Sequence, residues 1–222
     1  MIRAALFDFG GVLLSSPFEA FALYEEEHGL PHGFIRQLNA TNPDSNAWAK
    51  LERSEVDLGQ FADLFEAEAR ATGREIDGRA VLGMLGGELR PAMVEALRRC
   101  SERLVTGLLT NNFVSRPLPG EGSATLDAVA VDPTGRAAAI AGVMALFDGI
   151  VESSKVGVRK PDPRFYEMAC ELLGIEPAEA VFLDDLGINL KPARQLGMTT
   201  IKVVDPDDAI AELESVVGFA LR

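Results

Sequence analysis

Six residues of this 222-residue chain have types suited to one reaction: Asp8, Thr110, Asn111, Lys160, Asp184 and Asp185. Asp8 ends the apolar run Ala4-Ala5-Leu6-Phe7 and is followed by Phe9-Gly10-Gly11. A carboxylate placed there is costly unless it is paired, hydrogen-bonded or on a metal. Two glycines beyond it allow a tight turn close to a bound group. Asp184-Asp185 adds two more carboxylates, and three together favour a hard divalent cation. Mg²⁺ suits such a set, since it takes one or two carboxylates with waters and phosphate oxygens. The hydroxyl of Thr110 and the amide of Asn111 can hold phosphoryl oxygens, while Lys160, one of five lysines, offsets their charge. Asp8 is then placed to attack phosphorus and form an aspartyl-phosphate, with the cation screening the repulsion between two anions.

Each of these residues stands at the end of an element. Ala4–Phe7 lacks the alternation of a strand wetted on one face and reads as a strand buried on both. Val105–Leu109 is a second such strand, stopping at Thr110-Asn111, and Ala180–Leu183 is a fourth, stopping at Asp184-Asp185. Ala145–Val151 reads as the third strand and Thr200–Val204 as the fifth. Lys160 enters from the loop after the third, just ahead of a helix with Asp162 as N-cap, Tyr166, Ala169 and Cys170 inward, and Gly174 as stop. Strands alternating with helices imply an α/β fold, a doubly wound parallel sheet with helices on both faces. Ligands of such sheets bind beyond the carboxyl ends of the strands, where the polar stops gather.

Between the first strand and about Gly87 the signals are helical, beginning with Ser16 as N-cap and Pro17 at the first helical position. Phe34–Leu38, the face Leu58, Phe61, Leu64 and Phe65, and Ile76–Leu85 follow. One crossover needs far fewer residues. The expected division is therefore a core of residues 1–14 and 88–222 and a small helical domain of 15–87. The stretch Val114–Ala141, rich in Gly, Pro and Ala, reads as a long loop running into a short helix.

A formal net charge of −13 argues against nucleic acid or an anionic membrane as partner, because both require basic surface. An anionic substrate must meet a local positive centre. Cys100 and Cys170 are far apart and form neither a zinc motif nor a disulfide framework. With no signal-peptide pattern and no apolar run of membrane length, a cytoplasmic protein is expected. Oligomeric state is not legible.

Four segments in order resemble the motifs of the haloacid dehalogenase (HAD) superfamily. They are Phe7-Asp8-Phe9-Gly10-Gly11-Val12-Leu13, Leu108-Leu109-Thr110-Asn111, Arg159-Lys160-Pro161-Asp162-Pro163, and Phe182-Leu183-Asp184-Asp185-Leu186-Gly187-Ile188-Asn189. Within it the chain is similar to the phosphatase domain of soluble epoxide hydrolase and to a related domain of certain acyl-CoA dehydrogenases. The resemblance implies a Rossmann-like core and a phosphatase acting on a small phosphorylated metabolite. It implies Asp8 as nucleophile and Mg²⁺ held by Asp8, the main-chain carbonyl of Gly10 and Asp185. Thr110 and Lys160 would hold the phosphate, with Asp184 and Asn189 in support, and the helical block would be a cap that closes over the substrate.

One departure stands out. Phosphatases of this superfamily usually carry a second Asp two residues after the nucleophile, as acid for the leaving group, and here that position is Gly10. A positioned acid contributes roughly 10²–10⁴-fold. Turnover then suits good leaving groups or an acid lent by the cap, where His28 and His32 lie, although both read as surface histidines. Two alternatives follow: a catalytically weak HAD fold kept as a binding or regulatory module, and a metal-independent 2-haloacid dehalogenase, against which the pair Asp184-Asp185 argues.

Overall fold

The computed structural model of the chain describes residues 1–112 and 136–222. By their contacts these form two compact units, one of Met1–Ser15, Glu88–Asn111 and 136–222, the other of Ser16–Gly87 with Asn112.

The first unit is built on a sheet of five described strands, β1 (Ala4–Phe7), β2 (Val105–Thr110), β3 (Gly149–Glu152), β4 (Ala180–Asp184) and β5 (Thr199–Lys202). They run in the order β3-β2-β1-β4-β5, and every pair is parallel. Side chains alternate across it as a pleated strand requires. Ala5, Phe7, Leu108, Val181 and Leu183 pack on one face with Met93 and Leu97 of a helix over Pro91–Ser101 and Ile210 and Leu213 of another over Pro206–Val217. Ala4, Leu6, Leu109 and Phe182 pack on the other face with Phe165, Tyr166 and Ala169 of Pro163–Leu173 and Leu190 and Ala193 of Gly187–Gln195. Burying both faces explains why the strands read as continuous apolar runs.

The third strand is shorter than the sequence suggested. Ala145 and Leu146 still donate to Ala141 and Val143, closing the helix Arg136–Met144, so pairing starts only at Gly149. Periodicity alone cannot separate so short an apolar run from a helix end. The fifth strand starts one residue earlier than expected, at Thr199. The residues 113–135, most of the loop anticipated over Val114–Ala141, lie outside the described residues.

The second unit is helical throughout its described elements. It comprises Pro17–Glu27, capped by Ser16, then Phe34–Ala40, Ala47–Glu52, Leu58–Ala71 and Gly78–Gly83. Phe61 and Phe65 are fully buried in its core and stack at 5.2 Å, with Trp48 edge-on to Phe61 at 4.8 Å. The helix Ala47–Glu52 was missed in the sequence because six residues are too few for periodicity. It starts on an Asn46 side chain that accepts from Ala49 N–H at 2.8 Å. His28 and His32 are exposed, and His28 stacks on Tyr24 at 3.9 Å. No helix among the described residues is long and apolar enough to cross a membrane.

Candidate active site

The register of the sheet places the polar stops. Phe7 pairs with Leu183, and Asp8 N–H donates to Leu183 C=O at 2.9 Å, so Asp8 and Asp184 leave one edge side by side. Strand parity turns both toward the face of Leu6 and Phe182. The loop carrying Lys160 arrives on that face, and its Nζ sits 5.5 Å from the centroid of the Phe182 ring.

Lys160 is 1% exposed, and its ammonium bridges two carboxylates, Asp8 Oδ2 at 2.9 Å and Asp184 Oδ2 at 2.7 Å. An ammonium so buried survives only by such pairing. Burial pulls its pKa down, but the charges of Asp184 and Asp8 outweigh that and raise it. Asp8 is the mirror case. Burial lifts its carboxyl to about 8, against the lowering by Lys160, and Asp184 and Asp185 push the same way as burial. Its Oδ1 accepts from Phe9 N–H at 2.7 Å, so the carboxylate is oriented at both oxygens.

Asp184 is engaged at both oxygens. Oδ1 accepts from Leu186 N–H at 2.8 Å and from Asn189 Nδ2 at 3.1 Å, and Oδ2 accepts from Asn189 Nδ2 at 3.1 Å as well as from Lys160. With its oxygens so occupied, Asp184 holds Lys160 in place. Asp185 is partly exposed, and its carboxylate lies against Gly11. A Cβ at Gly11 would meet Asp185 Oδ2 at 2.4 Å, and the residue has φ +75°, so a side chain here is strained and displaces Asp185. Oxygens of Asp8, Asp184 and Asp185 lie within 4.8 Å of one another, an all-oxygen set suited to a hard cation. Gly10 is exposed, with an ordinary φ of −69° and ψ of 133°.

Thr110 ends the second strand, buried and paired in register with Glu152. Asn111, read in the sequence as a holder of phosphoryl oxygens, turns its amide to the Lys160 main chain. Its Oδ1 accepts from Lys160 N–H at 2.9 Å and its Nδ2 donates to Lys160 C=O at 3.0 Å. Tyr166 adds a contact that helical spacing alone does not reveal. Its hydroxyl donates to Asn189 C=O at 2.6 Å, tying down the residue that grips Asp184. The available signal was a Tyr, not a Phe, on an inward helix face, because a buried phenol needs a partner. Cys100 and Cys170 belong to the two core faces, where burial pushes their thiols up to about 12 and about 11.

A doubly wound parallel sheet whose carboxyl edge carries a carboxylate–ammonium–carboxylate bridge and a third acid defines a Rossmann-like α/β protein with its chemistry at the strand ends. Residues 2–197 match the haloacid dehalogenase-like hydrolase family, and the chain belongs to it. It is 33% identical over 226 residues to acyl-CoA dehydrogenase family member 10 of Mus musculus, covering 99% of this chain and 20% of that protein. It is 33% identical over 232 residues to bifunctional epoxide hydrolase 2 of Sus scrofa, covering 99% and 40%. The chain thus spans less than half the length of these relatives. A sesquiterpene phosphatase of Aspergillus oryzae matches at 27% over 219 residues, 97% of both chains.

Proposed function

We propose that this hydrolase is a Mg²⁺-dependent phosphatase acting on a small phosphorylated metabolite in the cytoplasm, through an aspartyl-phosphate on Asp8. The observation that carries the reading is the buried Lys160 ammonium bridging Asp8 and Asp184, with Asp185 completing an oxygen cluster beside them. The full-length match to a phosphatase supports it.

The donor set fits Mg²⁺, with Asp8, Asp185 and the Gly10 carbonyl as its protein ligands. When bound, the ion supplies positive charge that lets an anionic nucleophile meet an anionic substrate. Thr110 and Lys160 take the phosphoryl oxygens, and Asn111, Asp184 and Asn189 keep Lys160 in position. An oxygen of Asp8 forms a bond to phosphorus as the bond to the leaving oxygen breaks, and that oxygen carries the electron pair away. Water then attacks phosphorus, the bond to Asp8 breaks, and phosphate and the free carboxylate are restored.

The test is phosphate release from a panel of phosphorylated metabolites. Activity is expected to vanish in EDTA and return with Mg²⁺. Because burial holds the Asp8 proton up to about 8, Mg²⁺ affinity should rise with pH and level off near that value. Calorimetric titration across pH checks this, and a flat profile contradicts it. Gly11→Ala is expected to weaken Mg²⁺ binding more than tenfold, since the new methyl drives Asp185 aside. Its positive φ alone adds a folding cost of about 1–2 kcal/mol. An unchanged affinity would remove Asp185 from the ligand set.

A second reading is favoured by the glycine at position 10: a catalytically weak HAD fold that binds a phosphorylated ligand without turning it over. No release across the panel with Mg²⁺ present, combined with calorimetric binding of a panel member, would select it. Chloride release from 2-chloropropionate that persists in EDTA would instead select a dehalogenase.

A further inference from the structure

The glycine at position 10 is not demanded by the backbone. Its φ of −69° and ψ of 133° suit any residue, and among the described residues a Cβ built there meets nothing within 4 Å. Gly11 beside it is the opposite case, with positive φ and a filled space. Within Phe9–Leu13, the turn that follows Asp8, Gly10 is the one exposed position. A side chain has room there, two residues from the proposed nucleophile, and the chain supplies none.

Among the described residues, the charged groups at the strand ends already have engagements of their own. The Lys160 ammonium is engaged by Asp8 at 2.9 Å and by Asp184 at 2.7 Å. Both oxygens of Asp184 already accept, from Leu186, Asn189 and Lys160. Asp185 belongs to the oxygen cluster proposed to hold the cation.

We infer that the physiological substrate carries a leaving group that departs as an anion without protonation, as an aryl phosphate, enol phosphate or acyl phosphate does, and is not a simple alkyl phosphate. This rests on the phosphatase reading above. In the first step Asp8 bonds to phosphorus, the bond to the leaving oxygen breaks, and the pair departs on that oxygen, to be protonated by solvent afterwards. A general acid contributes roughly 10²–10⁴-fold where a leaving group needs one, so its absence separates the two classes by about that factor.

The experiment is a series of aryl and alkyl phosphates of graded leaving-group pKa, with saturating Mg²⁺, followed as kcat/KM in the wild type, Gly10→Asp and Gly10→Asn. Wild-type kcat/KM should fall steeply as leaving-group pKa rises. Gly10→Asp should flatten that dependence, raising alkyl phosphates by about 10²-fold or more and activated aryl phosphates little. Gly10→Asn fills the same open space without an acidic proton and should keep the wild-type slope. A shallow slope in the wild type, or equal gains on all substrates in Gly10→Asp, overturns the inference while leaving the phosphatase reading intact. Absence of hydrolysis of every member overturns both.

Discussion

Asp8→Asn is expected to abolish phosphate release, by about 10⁴-fold or more, the scale of loss when a covalent nucleophile is removed. The Asn amide nearly matches the carboxylate in shape but cannot form the bond to phosphorus. Stability provides the control that makes the loss interpretable. In metal-free protein the Asp8 carboxyl is raised by burial from 3.8 to about 8, so its ionisation opposes folding. The stability linked to that proton is fully present below the unfolded value and is lost as pH rises through about 8. The variant has no such proton. Its Tm in EDTA should therefore fall less than the wild type's across that window, measured by scanning calorimetry. A steeper fall would mean that Asp8 is ionised and paired throughout, and an active Asp8→Asn would remove it as nucleophile.

Lys160→Met is expected to have the largest effect on folding. The side chain is buried with its ammonium against two buried carboxylates, and its removal leaves Asp8 and Asp184 without the charge that offsets them. Breaking a buried pair in this way costs about 3–5 kcal/mol, where a matched apolar replacement of all partners need not. The sign of the pH dependence follows. The raised Lys160 contributes stability below its unfolded pKa and loses it only as pH climbs through the folded value, so the deficit is present at neutral pH. It should shrink as acid protonates Asp8, whose carboxyl burial already raises. Urea denaturation at about pH 5 and about pH 8 reads this directly, with the larger deficit at the higher pH. Mg²⁺ should recover part of the loss by supplying positive charge to the same cluster. Equal deficits at both pH values would mean that the lysine contributes packing and not charge.

Much of this site was legible because of how a parallel sheet is made. A strand covered on both faces has to be apolar along its length, so the first polar residue marks its end, and Asp8 and Asp184 stand out for that reason. Asp162, Gly174 and Ser16 were readable as helix ends because caps are local chemistry. The third strand was misread toward its start because its apolar approach is the closing turn of a helix, which has the same composition. Asn111 was assigned to phosphoryl oxygens because an amide beside Thr110 can hold them. Only the fold shows that amide engaged by the Lys160 main chain.

From its residues alone the chain determined the order of its strands and helices, the acids, hydroxyl and lysine available for chemistry, and the missing side chain at position 10. Those follow from composition and from spacing inside single segments, except position 10, which stands out only against the motif of the family the chain resembles. Tertiary structure decided which carboxylates share Lys160, that Asp184 is held while Asp185 lies against Gly11, and that Tyr166 braces Asn189. It also decided that Gly11, at positive φ, faces the Asp185 carboxylate, while among the described residues nothing lies within 4 Å of a Cβ built at Gly10. These depend on register between strands and on packing between segments far apart in the chain, which no local spacing encodes.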